Sequence, residues 1–275
     1  MADTRLVSLG QHRSAVRVSG SGSPAVVFLS SLGGAHEEWD GVVTRLAPLT
    51  TCVTYGRPAL GGSDGLPREL TDEPLTATWA AGQLHALLAA LELEPPYVMV
   101  TGSIGGWVGD RFVAAWPAEV AGIVLIDPSG LTDFPGLDEP PETAIDWVDG
   151  GIRFARELSR IELAGAVPAS APPRSVVLSS AHGRWLRNSP HPWHRPLTLE
   201  EVEQHWRRMQ RDWADRFGAC HVIAHQAGHS VHGEAPDLAA HVVRAVFEAA
   251  RRDDRVRLEE SELDDVGARL CSEHG

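Results

Sequence analysis

Tyr97-Val98-Met99-Val100-Thr101-Gly102-Ser103-Ile104-Gly105-Gly106-Trp107-Val108 is the stretch on which the reading of the chain turns. Its first residues are apolar and predict a short buried strand, and the paired glycines after Ser103 predict a helix opening tightly against it. The turn between them presents the Ser103 hydroxyl at the carboxyl end of the strand, with almost no side-chain bulk beside it. A Gly/Ser turn of this form also occurs in α/β proteins that use no serine chemistry, so the surrounding chain has to separate the two readings.

Working outward, Ala25–Leu29, Thr51–Tyr55, Val120–Ile126, Ser175–Leu178 and Cys220–His225 predict further strands. The most apolar of these runs suit strands buried on both faces of a mostly parallel sheet, and the weaker alternation at 13–19 predicts an edge strand. Between them lie helical patterns. Trp79, Leu84, Leu87, Leu88 and Leu91 share one stripe, and Leu238, Val242, Val243, Val246 and Phe247 share another. Thr198 and Glu201 form a capping box ahead of Leu199, Val202, Trp206, Met209, Trp213 and Phe217, a stripe that reads as core or cap packing. Alternating strand and helix predict a doubly wound, mostly parallel α/β sheet. In such sheets the carboxyl ends of the strands line the ligand crevice, and both Ser103 and Asp127 fall there.

Residues 129–172 interrupt the alternation with many prolines and one helical stretch from Ile152 to about Leu163. They read as a cap inserted between two core segments, 1–128 and 173–252. The last segment, 253–275, carries Glu259, Glu260, Glu262, Asp264, Asp265 and Glu273 and reads as a solvated acidic tail.

Composition removes several function classes. The formal net charge of -13 argues against a phosphate-backbone partner. The chain has no lysine, which excludes a Schiff base, pyridoxal-phosphate attachment and a P-loop lysine. No apolar run is long enough for a bilayer span, no secretory leader is visible, and Cys52, Cys220 and Cys271 read as reduced thiols of a cytoplasmic protein. His182, His191 and His194 lie in a Trp/His/Pro-rich stretch without a cysteine or carboxylate beside them, so a zinc site is not expected; an aromatic rim is.

With Thr101 standing where a first glycine would be, Thr101-Gly-Ser103-Ile-Gly105 is close to G-x-S-x-G, and at this point the chain resembles the α/β-hydrolase superfamily. Two more stretches carry the likeness. Gly56-Arg57-Pro58-Ala59-Leu60-Gly61-Gly62-Ser63-Asp64 is similar to the D-R-P-G-x-G-x-S-D loop of that superfamily, where Arg57 and Asp64 are expected to be structural. Ala227-Gly228-His229, with His232 three residues on, looks like its histidine loop. The resemblance implies an eight-stranded type of sheet with a cap after the sixth strand. It also implies Ser103 as nucleophile, His229 rather than His232 as base, and oxyanion donors in the main-chain N–H groups of Leu32 and Ile104. Ser30-Ser31 replaces the usual His-Gly before Leu32, but the donor is main-chain and survives the change. His225 and His85 read as ordinary strand and helix residues.

The acid is the open point. The superfamily most often places it after its seventh strand, yet no Asp or Glu occurs between Arg174 and Leu199. Some members place it at the end of the sixth strand, where Asp127 stands; Glu37, Glu38 and Asp133 are the alternatives. The order Ser103, Asp127, His229 then matches the nucleophile–acid–histidine order of the superfamily. The expectation is a serine hydrolase acting on an ester, lactone or thioester of a small to medium molecule, without cofactor, metal, nucleic acid or membrane. A cyclase, acyltransferase or lyase with the same residues is the second reading, and a ligand-binding protein of this fold the third. Neither substrate identity nor oligomeric state is legible.

Overall fold

A computed structural model describes residues 3–72, 75–130, 147–149, 152–154, 156–165, 174–187 and 197–271. Its main sheet has nine strands: β1 (Arg5–Ser8), β2 (Arg13–Ser19), β3 (Val26–Leu29), β4 (Cys52–Tyr55), β5 (Tyr97–Gly102), β6 (Val120–Ile126), β9 (Ser175–Ser179), β10 (Cys220–Ala224) and β11 (Ala268–Leu270). Their order is β1-β2-β4-β3-β5-β6-β9-β10-β11. The run from β4 to β10 is parallel, while β1, β2 and β11 pair antiparallel at the edges. This is the doubly wound, mostly parallel α/β fold that the strand–helix alternation predicts.

The central strands are apolar throughout because both faces are covered. Along β3, Val26 and Phe28 face one layer while Val27 and Leu29 face the other, the period of two that a pleated strand imposes. One layer packs under α2 (Ala77–Ala90), α3 (Gly105–Ala115) and the end of α5 (Leu199–Phe217), with Leu84, Trp107, Phe112 and Trp213 buried there. The opposite layer packs under α1 (Asp40–Leu46), the short α6 (Val231–Glu234) and α7 (Pro236–Arg252), around Trp39, Val231, Leu238, Val242 and Phe247. Full burial of one such side chain is worth roughly 1.5–3 kcal/mol, so the two layers supply the dominant stabilising term. α3 begins close to the sheet: a Cβ on Gly105 would stand 2.4 Å from the Leu29 carbonyl oxygen. The bulk of Thr101 is accommodated from the same helix, since Gly109 leaves space against its methyl group.

Two sequence expectations are corrected. The stretch from Ile152 is not one helix. Ile152–Phe154 forms β8, paired antiparallel with β7 (Trp147–Asp149), and the helix α4 runs from Arg156 to Gly165. The helix exposes Ile161 and buries Leu163. α4 is tied to the core: Ser159 Oγ accepts from the Ala77 N–H (3.0 Å), and Arg111 and Arg216 donate to the carbonyls of Glu162 and Leu163. Most of 129–172 lies outside the described residues, so the cap's bounds, and with them Asp133, are not described.

The second correction is the acidic tail. Residues 260–270 are folded: α8 (Glu260–Asp265) buries Leu263, and β11 adds a ninth strand, with Ala224 opposite Ala268 and Val222 opposite Leu270. The charged residues point outward while Leu263, Val266, Ala268 and Leu270 join the apolar layer over α7, a pattern that a charge count hides. No described helix is long and apolar enough to cross a membrane.

Candidate active site

Ser103 caps β5 with a φ of 51°, a left-handed conformation that costs a non-glycine residue free energy and turns its hydroxyl out of the strand line. Surrounding main chain enforces it. The Ser103 N–H donates to the Ile126 carbonyl (3.2 Å), and its own carbonyl accepts from Gly106 (3.0 Å) and Ser129 (3.1 Å). Asp127 ends the neighbouring strand β6, also with a positive φ of 41°, and its N–H donates to the Leu178 carbonyl of β9. His229 sits on the loop after β10, where Gly228 N–H is held by the Glu234 carboxylate (2.8 Å).

These three side chains meet. His229 Nε2 is 2.9 Å from Ser103 Oγ, and His229 Nδ1 is 2.7 Å from Asp127 Oδ2. A carboxylate can only accept, so Nδ1 carries the neutral ring's proton and Nε2 presents a lone pair to the serine hydroxyl. Asp127 is fully buried, Ser103 nearly so, and the His229 ring remains partly open to solvent.

The Asp127 carboxylate is surrounded by donors. Oδ1 accepts from the Ser180 N–H (2.9 Å), the Ser180 hydroxyl (2.8 Å) and the Trp206 indole N–H (3.1 Å). Arg184 Nη2 stands 3.5 Å from Oδ2. Burial by itself would raise the Asp127 pKa, but the His229 hydrogen bond, the Arg184 charge and the Ser180 N–H outweigh it and hold the acid below its ordinary value. With Oδ1 saturated, Oδ2 is left facing His229. Arg184 is stacked between Trp185 and Trp206, its guanidinium carbon 4.4 Å from each ring centre, and Trp206 meets His229 edge to face. Glu203 on α5 accepts from the Gly183 N–H (2.6 Å) and the Trp185 N–H (3.3 Å), which fixes the loop carrying Arg184.

Across the serine lies the loop after β3. Arg57 donates to the carbonyls of Ser30 (2.6 Å) and Ser31 (2.5 Å), Glu38 accepts from the Ser31 N–H (2.8 Å), and the Trp39 indole donates to Ser30 Oγ (3.1 Å). Among the described residues, the main-chain N–H groups of Leu32 and Ile104 have no acceptor. Asp64, by contrast, pairs with Arg13 at 2.7 Å on the surface.

The other candidate residues go elsewhere. Glu37 pairs with Arg17 (3.1 Å), and Glu38 is engaged with the Ser31 loop, its pKa raised chiefly by burial. His232 is buried, stacked on Trp39 at 4.3 Å, and pushed down to about 4 by burial first and the neighbouring His229 second. His225 is exposed beyond the end of β10 rather than within it. His85 stacks on Trp116 at 4.0 Å. His182 lies 3.4 Å from Arg269, and His191 and His194 fall outside the described residues. The helical stripe expected to be packing needs one amendment: Val202, Met209, Trp213 and Phe217 are buried, but Trp206 gives its N–H to Asp127. Sequence reading also passed over Ser129, Ser180 and Arg184. Only Arg184 left a trace, as a cation in a loop with no acid of its own.

A doubly wound, mostly parallel sheet with a serine and an aspartate at neighbouring strand ends and a histidine on the loop after β10 is an α/β-hydrolase fold. Residues 26–252 match the alpha/beta hydrolase family, and the chain belongs to it. An uncharacterised protein of Mycobacterium tuberculosis is 31% identical over 121 residues, 44% of this chain and 33% of that protein. The chain thus matches about a third of the length of that curated relative. Among solved structures, a thermophilic esterase from Thermogutta terrifontis superposes with a TM-score of 0.59 at 17% identity, covering 91% of this chain and 99% of the esterase. A thioesterase domain from the curacin biosynthetic pathway gives a TM-score of 0.59 at 13% identity, covering 90% of this chain and 99% of the domain. At these identities the likeness is one of fold.

Proposed function

We propose that the chain is a serine hydrolase that cleaves an ester, lactone or thioester of a small to medium organic molecule through an acyl-enzyme. The observation that carries this reading is the continuous line from Asp127 Oδ2 through His229 to Ser103 Oγ, with contacts of 2.7 and 2.9 Å. A serine hydroxyl is a weak nucleophile until a base takes its proton, and the base needs an oriented, charge-compensating partner. In the proposed reaction His229 Nε2 takes the Ser103 proton as Oγ attacks the substrate carbonyl. Asp127, held as a carboxylate, stabilises the imidazolium and fixes its tautomer. The N–H groups of Leu32 and Ile104 receive the carbonyl oxygen as it becomes an oxyanion. His229 then protonates the leaving group, and afterwards deprotonates the water that releases the acid product.

Ser, His, Asp and two main-chain donors supply every group this sequence of steps needs, so it calls for no metal or cofactor. The names of the esterase and thioesterase neighbours are in keeping with acyl chemistry of this kind. Hydrolysis of a panel of short aryl esters and thioesters in ¹⁸O-labelled water tests the proposal. One labelled oxygen in the acid product of wild type, with none formed by S103A, is the expected result. Equal turnover by S103A, or product without label, would contradict it.

A further inference from the structure

Ser129 follows Asp127-Pro128 and belongs to neither the Ser103–His229–Asp127 line nor the oxyanion loop, yet its Oγ lies 3.1 Å from Ser103 Oγ. The direction of that hydrogen bond follows from the protons available. Nδ1 of His229 faces a carboxylate, so it holds the ring proton and Nε2 is an acceptor. Ser103 has one hydroxyl proton, and Nε2 at 2.9 Å takes it. The donor between the two serines is therefore Ser129.

Its position is fixed by main-chain bonds alone. The Ser129 N–H donates to the Ser103 carbonyl at 3.1 Å. The Ser129 carbonyl accepts two indole N–H groups, from Trp107 on α3 (3.1 Å) and from Trp213 on α5 (2.8 Å). Both indoles are buried. With both lone pairs of its carbonyl used and its N–H engaged, the residue cannot swing, and none of these bonds involves the hydroxyl.

We infer that Ser129 is a catalytic residue whose hydroxyl donates to Ser103 Oγ and stabilises the negative charge that this oxygen gains whenever its proton resides on His229. The inference rests on the proposed role of Ser103 as nucleophile. In the resting site the bond joins two neutral hydroxyls. As the Ser103 O–H bond breaks and the His229 Nε2–H bond forms, the Ser129 bond becomes charge-assisted and strengthens. An interaction stronger in the transition state than in the ground state raises the rate rather than merely tightening binding. Once the Oγ–acyl bond has formed, the ester oxygen is a poor acceptor and the Ser129 proton is released from it. When that bond breaks in deacylation, Oγ again carries charge before recovering its proton from His229, and Ser129 donates a second time. Ser129 keeps its own proton throughout, so acylation and deacylation both gain.

The test is the second-order rate of phosphonylation of Ser103 by a fluorophosphonate, measured for wild type, S129A and S129T beside their thermal midpoints. S129A is expected to react about 10- to 100-fold more slowly, the range for one hydrogen bond to a charged atom. Its midpoint should stay within about 2–4 °C of wild type, because the three main-chain bonds remain. S129T keeps a hydroxyl and should react faster than S129A. S129A reacting as fast as wild type, S129T no faster than S129A, or slowing that merely follows loss of folded protein would each overturn the inference. A wild type inert to the reagent would be a different failure, that of Ser103 as nucleophile.

Discussion

Trp206 and Arg184 show how much of the site's electrostatics is supplied from outside the three proposed reacting side chains. Both address the Asp127 carboxylate, one by an indole N–H at 3.1 Å and the other by a guanidinium at 3.5 Å. Each withdraws charge from the acid and so favours its ionised form, which the proposed reaction needs. Removing either, as in W206F or R184M, is expected to move the acidic limb of the kcat/KM–pH profile to higher pH. A limb that stays in place or moves down would refute the assignment. W206F, losing one hydrogen bond, should also lower kcat/KM by about three- to tenfold at its pH optimum. D127N is a harsher change, since an amide offers Nδ1 no carboxylate and admits the wrong tautomer; a loss of about 10⁴ in kcat is expected, and a loss below tenfold would contradict the role given to Asp127. That Ser103, Asp127 and His229 would lie together was legible, because the turn glycines, the strand ends and the chain order each carry a signal in sequence. Trp206, Ser180 and Ser129 were not, because their roles arise only where α5, β9 and β6 converge. A tryptophan at helical spacing reads as packing whether or not its N–H has a partner.

At the level of elements, the site is a set of strand ends held in register by helices, and the least expected element is the last. β11 covers the outer edge of β10, two residues of which lie opposite Ala268 and Leu270, and α8 seats Leu263 in the core. Deleting residues 259–275 would strip that cover and expose an unpaired strand edge, a template for association between chains. The truncated chain is expected to lose more than about 3 kcal/mol of unfolding free energy and to aggregate on storage, as read by urea unfolding and light scattering. An unchanged urea midpoint would show that the segment is the solvated tail its charges suggest. The tail was misread because its apolar residues are few and short-ranged, and strand pairing is set by the partner rather than by local pattern. The reverse error occurred at Ile152, where helical spacing ran across a hairpin strand and a helix start that no glycine or proline separates.

For the molecule as a whole, one buried and two half-buried histidines set a pH limit on stability. His182, His221 and His232 are each pushed down to about 4 from 6.5, by burial foremost. In the unfolded chain they take up protons below 6.5, whereas in the folded chain they stay neutral until about 4. Between those values the unfolded state binds more protons, so stability falls as pH drops from 6.5 towards 4. Asp127, whose folded pKa is lowered, contributes stability above the ordinary carboxylate range that is lost only as pH falls further, through its folded value. Urea midpoints at pH 7.5, 6 and 5 should decline in that order, and less steeply for H221N; a flat series would contradict the burial of these rings as neutral groups. The fold itself was the most legible level, because buried parallel strands write themselves as continuous apolar runs and the helices between them as stripes. The proposed chemistry rests on Ser103 as the nucleophile and His229 as its base. Peptide mapping by mass spectrometry after fluorophosphonate treatment tests it most directly. A single adduct on Ser103 in folded wild type, and none in H229A over the same interval, is the expected result. An unmodified Ser103, or an adduct on another residue, would contradict it.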